Sequence, residues 1–230
     1  MVILTPQILL RMFQEESLPV RTPSYIPQLS VYYNLQRFPA FSNFNLFSRF
    51  VHHSNGQEGS FYLQNGEINY RSGNFATNYF ETGLIVTNYN SRFKAMQFYS
   101  TTFEIHPKGM HVSELDGKFS TFRWHSAFSV FKLHNCLSSD QKGKAQFSLK
   151  GKTSFLFGEI NDWKAFDQRR LELSFTLAYY PLFLEDIGFF VSIYRGMDYY
   201  NIYFDRQLSL FSFGFVTEIL RFNPKTIIQQ

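Results

Sequence analysis

Cysteine occurs once in the 230 residues, as Cys136, which excludes a disulfide framework and a thiolate metal site. Only 17% of the residues are charged, and the formal net charge of +4 is spread along the chain. There is no Lys/Arg cluster of the kind that tracks a phosphate backbone, so nucleic acid is not an expected partner. No apolar run reaches 18 residues, which removes a transmembrane helix. The six histidines, His52, His53, His106, His111, His125 and His134, lack zinc-ligand spacing, since adjacent His52 and His53 point to opposite sides of a strand. Met1–Leu10 is apolar but has neither a basic leader nor a small-residue cleavage site. The expectation is that Met1 is internal to a longer chain carrying a signal peptide and further strands, or that the protein is not exported. No internal repeat or low-complexity segment breaks residues 1–230, which read as a single domain.

Aromatic residues are abundant. Twenty-nine Phe and 14 Tyr stand against 2 Trp, with a mean hydropathy of −0.21. This suits many strands whose rings face something apolar. Period-2 stretches predict ten long strands: Val2–Phe13, Pro27–Gln36, Phe44–Ser54, Phe75–Thr87, Arg92–Ile105, Phe119–His134, Lys144–Phe157, Arg169–Tyr180, Ile187–Arg195 and Arg206–Phe222. The connections alternate between mostly short ones (Arg37–Asn43, Asn88–Ser91, Asn135–Gly143, Pro181–Asp186) and longer, more polar ones (Gln14–Ile26, Gly56–Asn74, His106–Lys118, Gly158–Gln168, Gly196–Asp205). Short turns at one end and long loops at the other are the pattern of a bacterial outer-membrane barrel. The expected fold is an all-β, antiparallel up-and-down transmembrane β-barrel.

Charges assign the faces, because a charged side chain at mid-strand of such a barrel points to the polar lumen. In Arg169–Tyr180, Leu171, Leu173, Phe175, Leu177 and Tyr179 oppose Glu172, Ser174, Thr176 and Ala178. Lys144–Phe157 repeats the alternation, with Lys150 and Lys152 opposite Phe147 and Phe155. By the same rule, Arg49 inward sends Leu46, Phe50, His52 and Ser54 to the lipid side, and Glu81 inward sends Asn78, Phe80, Leu84 and Val86 there too.

His52-His53-Ser54-Asn55-Gly56 therefore carries chemistry or nothing. On a strand, His52 and Ser54 lie about 6–7 Å apart on one face, close enough for an imidazole nitrogen to reach the serine oxygen. A serine hydroxyl needs such a base to become a nucleophile near neutral pH, and the base needs a third group to orient it. The plainer reading is two surface histidines at a strand end followed by an Asn-Gly turn. A polar trio of His52, Ser54 and Asn78 on a lipid-facing surface is costly, which favours the functional reading.

These residues resemble the outer membrane phospholipase A family. Its His-x-Ser-Asn-Gly motif stands here as His52-His53-Ser54-Asn55-Gly56, and its asparagine near the start of the next strand as Asn78 in Thr77-Asn78-Tyr79-Phe80. Glu15-Glu16-Ser17, Arg21-Thr22 and Tyr25-Ile26-Pro27-Gln28-Leu29 resemble the family's preceding loop and strand, and Tyr194-Arg195-Gly196 through Phe215 its closing hairpin. The resemblance implies a twelve-stranded barrel of which about ten strands lie in this chain. It further implies a calcium-dependent phospholipase of the bacterial outer membrane, active as a homodimer on membrane phospholipids. Ser54 takes the nucleophile's role, His52 the base's, Asn78 the orienter's, and the Gly56 amide donates to the oxyanion. For calcium, Ser17 matches a ligand given by the partner subunit, Gln57 a carbonyl ligand, and Asn74 stands where the family has a serine. An aspartate soon after the motif is absent here; Glu58 is the nearest acid, and Glu114 or Asp116 stands for a further ligand.

Two alternatives remain: a catalytically silent barrel or porin, and a soluble lipid-binding barrel with its aromatic faces inward. A register question also arises. A two-residue Asn65-Gly66 turn continued as an unbroken ladder would pair positions summing to 131, putting Asn78 opposite His53 on the wrong face. The triad requires a bulge or irregular loop within Gly56–Asn74 that shifts the pairing by one. Trp124 and Trp163 are expected in an interfacial girdle, His125 and His134 as ordinary strand residues, and Lys150 and Glu172 in a lumenal polar network.

Overall fold

A computed structural model describes residues 1–12, 19–38, 42–134, 143–184, 186–218 and 222. It is all-β, with twelve antiparallel strands: β1 (Val2–Thr5), β2 (Ile8–Leu9), β3 (Ser24–Tyr25), β4 (Gln28–Phe38), β5 (Ser42–Ser54), β6 (Ala76–Asn90), β7 (Ala95–Ile105), β8 (Phe122–Leu133), β9 (Ala145–Phe157), β10 (Leu171–Tyr179), β11 (Ile187–Met197) and β12 (Gln207–Thr217). Ten form an up-and-down path in the order β1-β4-β5-β6-β7-β8-β9-β10-β11-β12, while β2 pairs with β3 and β3 with β5. Among the described residues the sheet is not closed; β1 and β12 are the ends of the path.

The predicted first strand, Val2–Phe13, is corrected by the structure. The strand ends at Thr5 and a two-residue piece resumes at Ile8. Pro6 intervenes, and a proline has no N–H to give to a ladder. Phe13 and Cys136 lie outside the described residues, as does Ser17. The last strand ends at Thr217, short of the predicted Phe222.

The alternation read from the charges is the one that forms. On β10, Leu171, Leu173, Phe175, Leu177 and Tyr179 are 39–45% exposed while Ala178 is 3% exposed. Phe147 and Phe157 on β9 look outward, and Ser148 and Ser154 are buried. The outer face carries an apolar band from β1 (Val2, Leu4) round to β12 (Phe211, Phe213, Phe215). The inner face is mixed, with an apolar cluster of Met96, Phe131, Leu133, Ala145, Ala178 and Tyr180 towards one rim. It is curled upon itself: residues as far apart as His53 on β5 and Glu172 on β10 line one cavity of about 260 Å³.

The two rims differ. The long connections fold over one rim as a cap, with Phe61, Phe75, Leu115, Tyr200, Ile202, Tyr203 and Phe204 in a common apolar cluster. Arg170, 4% exposed, donates to the carbonyls of Leu156, Gly158, Trp163 and Lys164 and so holds the loop after β9. Across the gap between the sheet's ends, Arg11 forms two hydrogen bonds to Asp198 (2.5 and 2.8 Å). The Tyr200 hydroxyl also donates to the Thr22 carbonyl.

Candidate active site

The site lies where β5 ends and β6 begins, at the capped rim. The ladder pairs His52 with Asn78, His53 with Thr77 and Ser54 with Ala76. Opposed residues of an antiparallel pair share a face, so His52 and Asn78 lie together, and Ser54, two residues along, lies with them. That face is the outer one. Its next pair inward from the rim is Phe50 with Phe80, rings 5.2 Å apart. Arg49 and Glu81 take the other face and form an ion pair at 2.9 Å.

This register has an identifiable origin. Asn65-Gly66 is a turn, as predicted, but not a two-residue one. The Gly66 N–H donates to the Leu63 carbonyl and the Leu63 N–H to the Glu67 carbonyl, with Tyr62 bridging Ile68. Gln64, Asn65 and Gly66 thus form a three-residue loop whose last residue has φ +83°, the arrangement of a type I turn followed by a glycine bulge. Facing positions now sum to 130 at both the loop tip and the β5–β6 ladder. Between them the chain is irregular, with a parallel bridge from Gly59 to Gly73.

The three predicted side chains are joined. His52 Nε2 is 3.0 Å from Ser54 Oγ, and His52 Nδ1 is 2.8 Å from Asn78 Oδ1. Met110, which the sequence reading did not single out, settles the orientation of the Asn78 amide: Asn78 Nδ2 donates to the Met110 carbonyl at 2.9 Å. Oδ1 is then the atom turned to His52, and as an acceptor it requires a proton on Nδ1. Nε2 is left as an acceptor for the Ser54 hydroxyl, the tautomer a general base needs.

Gly56 follows with φ +65°, a left-handed conformation that glycine adopts without strain. Among the described residues no acceptor takes its N–H. A Cβ on Gly56 would stand 3.4 Å from Cε2 of Tyr25, whose backbone bridges Ser54. Between Ser54 and Gly56 sits Asn55, 2% exposed. Its Nδ2 donates to the Gly73 carbonyl (2.8 Å), and its Oδ1 accepts from the N–H groups of Phe75 (3.0 Å) and Gln57 (3.2 Å). Asn55 thus ties the motif to the chain entering β6. A buried carboxamide that makes three hydrogen bonds leaves no trace in a single sequence, where Asn-Gly reads as a turn.

His53 faces inward with its ring edge-on to Phe75, centroids 5.0 Å apart. Below it lies a polar network. Glu104 accepts from His106 Nε2 (2.6 Å) and His125 Nε2 (3.0 Å) and pairs with Arg123 (3.2 Å). The hydroxyls of Thr77 and Ser154 meet the other ring nitrogens, His106 Nδ1 and His125 Nδ1. His125 is therefore part of the inner network rather than an ordinary strand residue. His134 lies just past the end of β8, 3.2 Å from the Tyr180 carbonyl. His106 is the first residue past β7, and burial lowers its pKa below the usual 6.5. Lys150 pairs with Glu218 at 2.5 Å, and Glu172 lines the inner cavity.

The proposed calcium positions are only partly assembled. The segments bearing Gln57 and Asn74 run side by side, with the Asn74 N–H donating to the Gly59 carbonyl at 2.9 Å. Glu58 is exposed beside them. In the capping loop, Asp116 accepts from His111 Nε2 (2.8 Å) and Glu114 from Ser113 (3.1 Å). A different set, Glu81, Glu104 and His125, brings one ligand atom each within 4.8 Å. It lies on the inner face, and its carboxylates are already paired with Arg49, Arg123 and His106.

Compared with known proteins, the chain matches no family model, no curated protein and no solved structure.

Proposed function

We propose that this protein is an outer-membrane esterase of phospholipid acyl chains, with Ser54, His52 and Asn78 as its catalytic groups on the outside of a β-barrel. The observation that carries the reading is the continuous Ser54–His52–Asn78 hydrogen-bond chain on an outer face rich in exposed apolar side chains. Hydrogen-bonded polar side chains next to the exposed Phe50–Phe80 pair would be a liability on a silent barrel or porin. A soluble barrel would turn its aromatic rings inward and its charges out, the reverse of what β5, β6, β9 and β10 do.

Ser54 Oγ attacks the carbonyl carbon of the acyl ester while its proton passes to His52 Nε2. Asn78 Oδ1 accepts from Nδ1–H throughout and keeps the ring in line. The tetrahedral oxyanion accepts from the Gly56 N–H, a kind of donor worth on the order of 3–4 kcal/mol. As the adduct collapses, the C–O ester bond breaks, and the leaving lysophospholipid alkoxide takes the proton from His52. Water then attacks the acyl-Ser54 ester by the same route, giving a fatty acid and free Ser54. Gln57, Asn74 and Glu58 are the described residues that would hold a calcium ion, which when bound adds positive charge near the developing oxyanion. Ser17, lying outside the described residues, is the group a partner subunit would supply to a dimeric site.

The test is hydrolysis of a diacyl phospholipid in detergent by the purified protein and by Ser54→Ala, each with calcium or with a chelator. Release of fatty acid by the wild type in calcium alone is expected. Equal release by Ser54→Ala, or none by the wild type, would sink the proposal.

A further inference from the structure

The Asn78 side chain is held from behind by a backbone atom. Residues 107–110 form a turn in which the Met110 N–H donates to the Pro107 carbonyl (3.0 Å) and Gly109 has φ +82°, as the third position of a type II turn requires. Past the turn, His111 bridges Thr77, and the Val112 N–H donates to the Ala76 carbonyl (3.0 Å). The loop therefore lies along the first residues of β6. It delivers one carbonyl oxygen, that of Met110, to two donors of one residue: the Asn78 backbone N–H at 2.7 Å and Nδ2 at 2.9 Å. A carbonyl oxygen has two lone pairs, and here both are used.

Resting on the catalytic reading above, we infer that the Met110 carbonyl is a positioning group that makes this site require asparagine, and not aspartate, at position 78. An aspartate in the same place would keep an oxygen toward His52 Nδ1, where its charge would favour the imidazolium. Its second oxygen would meet the Met110 oxygen at the distance where Nδ2 now donates. Two acceptors with no proton between them repel, and a carboxylate in a partly enclosed site is the worse for it. Asparagine alone offers an acceptor to His52 and a donor to Met110. The neutral orienter is thus dictated by the loop behind it, not by the serine and histidine in front.

The test is a double-mutant cycle on kcat for phospholipid hydrolysis, using Asn78→Asp, Gly109→Val and the pair. A Cβ at Gly109 meets no atom within 4 Å, so valine there acts through its strained φ, turning the Met110 carbonyl away without a collision. Gly109→Val alone should lower kcat about tenfold, one hydrogen bond's worth. Asn78→Asp should fall about a hundredfold, to the level of Asn78→Ala or below it. The double variant should be about tenfold faster than Asn78→Asp, because the turn that helps asparagine hinders aspartate. A purely structural loop would lower both backgrounds by the same factor, and that result overturns the inference. So does an Asn78→Asp enzyme as fast as the wild type. A wild type with no ester hydrolysis overturns the proposed function itself, whereas an active wild type with additive variants overturns this inference alone.

Discussion

His52 and Asn78 face each other across the β5–β6 ladder, Nδ1 to Oδ1 at 2.8 Å. Two strands contribute one residue each to a contact that a one-residue slip would abolish, since a slip carries Asn78 to the inner face.

Removing each member of the chain should cost unequally. Ser54→Ala and His52→Ala are expected to lower hydrolysis by about 10⁴-fold or more. Asn78→Ala should lose about 10–100-fold, because a neutral amide orients the ring without offsetting its charge. Initial rates of fatty-acid release from mixed micelles would rank the three, and an Asn78→Ala enzyme as dead as Ser54→Ala would contradict the assigned roles.

His53 is the internal control for the facing of β5. It points away from Ser54, into the packing around Phe75. His53→Ala should retain most activity while losing some stability from the vacated volume, about 1–3 kcal/mol. If a folded His53→Ala proved as inactive as His52→Ala, the orientation of the strand would be wrong.

Gly56 carries two constraints at once: its left-handed φ of +65° and the Tyr25 ring 3.4 Å from where a Cβ would stand. Gly56→Ala should move the N–H away from the carbonyl oxygen of the substrate and depress kcat by about 10–10³-fold with little change in KM. A fall confined to KM would mean that the amide contributes to binding only.

Asn55 should behave as a scaffold residue. Asn55→Ala leaves the N–H groups of Phe75 and Gln57 and the Gly73 carbonyl without their side-chain partner, at about 1–3 kcal/mol for each group left buried and unbonded. Thermal unfolding followed by circular dichroism should register this loss, together with a fall in activity. An Asn55→Ala protein of unchanged melting temperature and full activity would refute the role.

Calcium removal should separate chemistry from folding. The strands are joined by their own ladders and Gln57, Asn74 and Glu58 lie in a rim loop, so a chelator is expected to abolish hydrolysis while leaving the strand signal in far-ultraviolet circular dichroism intact. Unfolding on chelation would place the ion among the structural elements instead.

The strand pattern and its faces were readable in the sequence because the side-chain period of a strand is two and a mid-strand charge such as Arg49 or Glu81 marks the inner side. The motif His52-His53-Ser54 was readable for the same reason, since residues two apart on one strand need no tertiary information to meet. The break at Pro6 was written in the chain as well, although the apolar run across it concealed two short strands. Tertiary structure alone decided the rest. The partner of His52 depended on whether the loop between β5 and β6 turned on two residues or three, and Asn65-Gly66 is compatible with both. Met110 reaches Asn78 across 32 positions of sequence through a backbone carbonyl, a group every residue possesses and no residue type announces. Asn55, Glu104 and His106 acquired their partners only when separate strands and loops enclosed them, because a buried polar group is defined by what surrounds it.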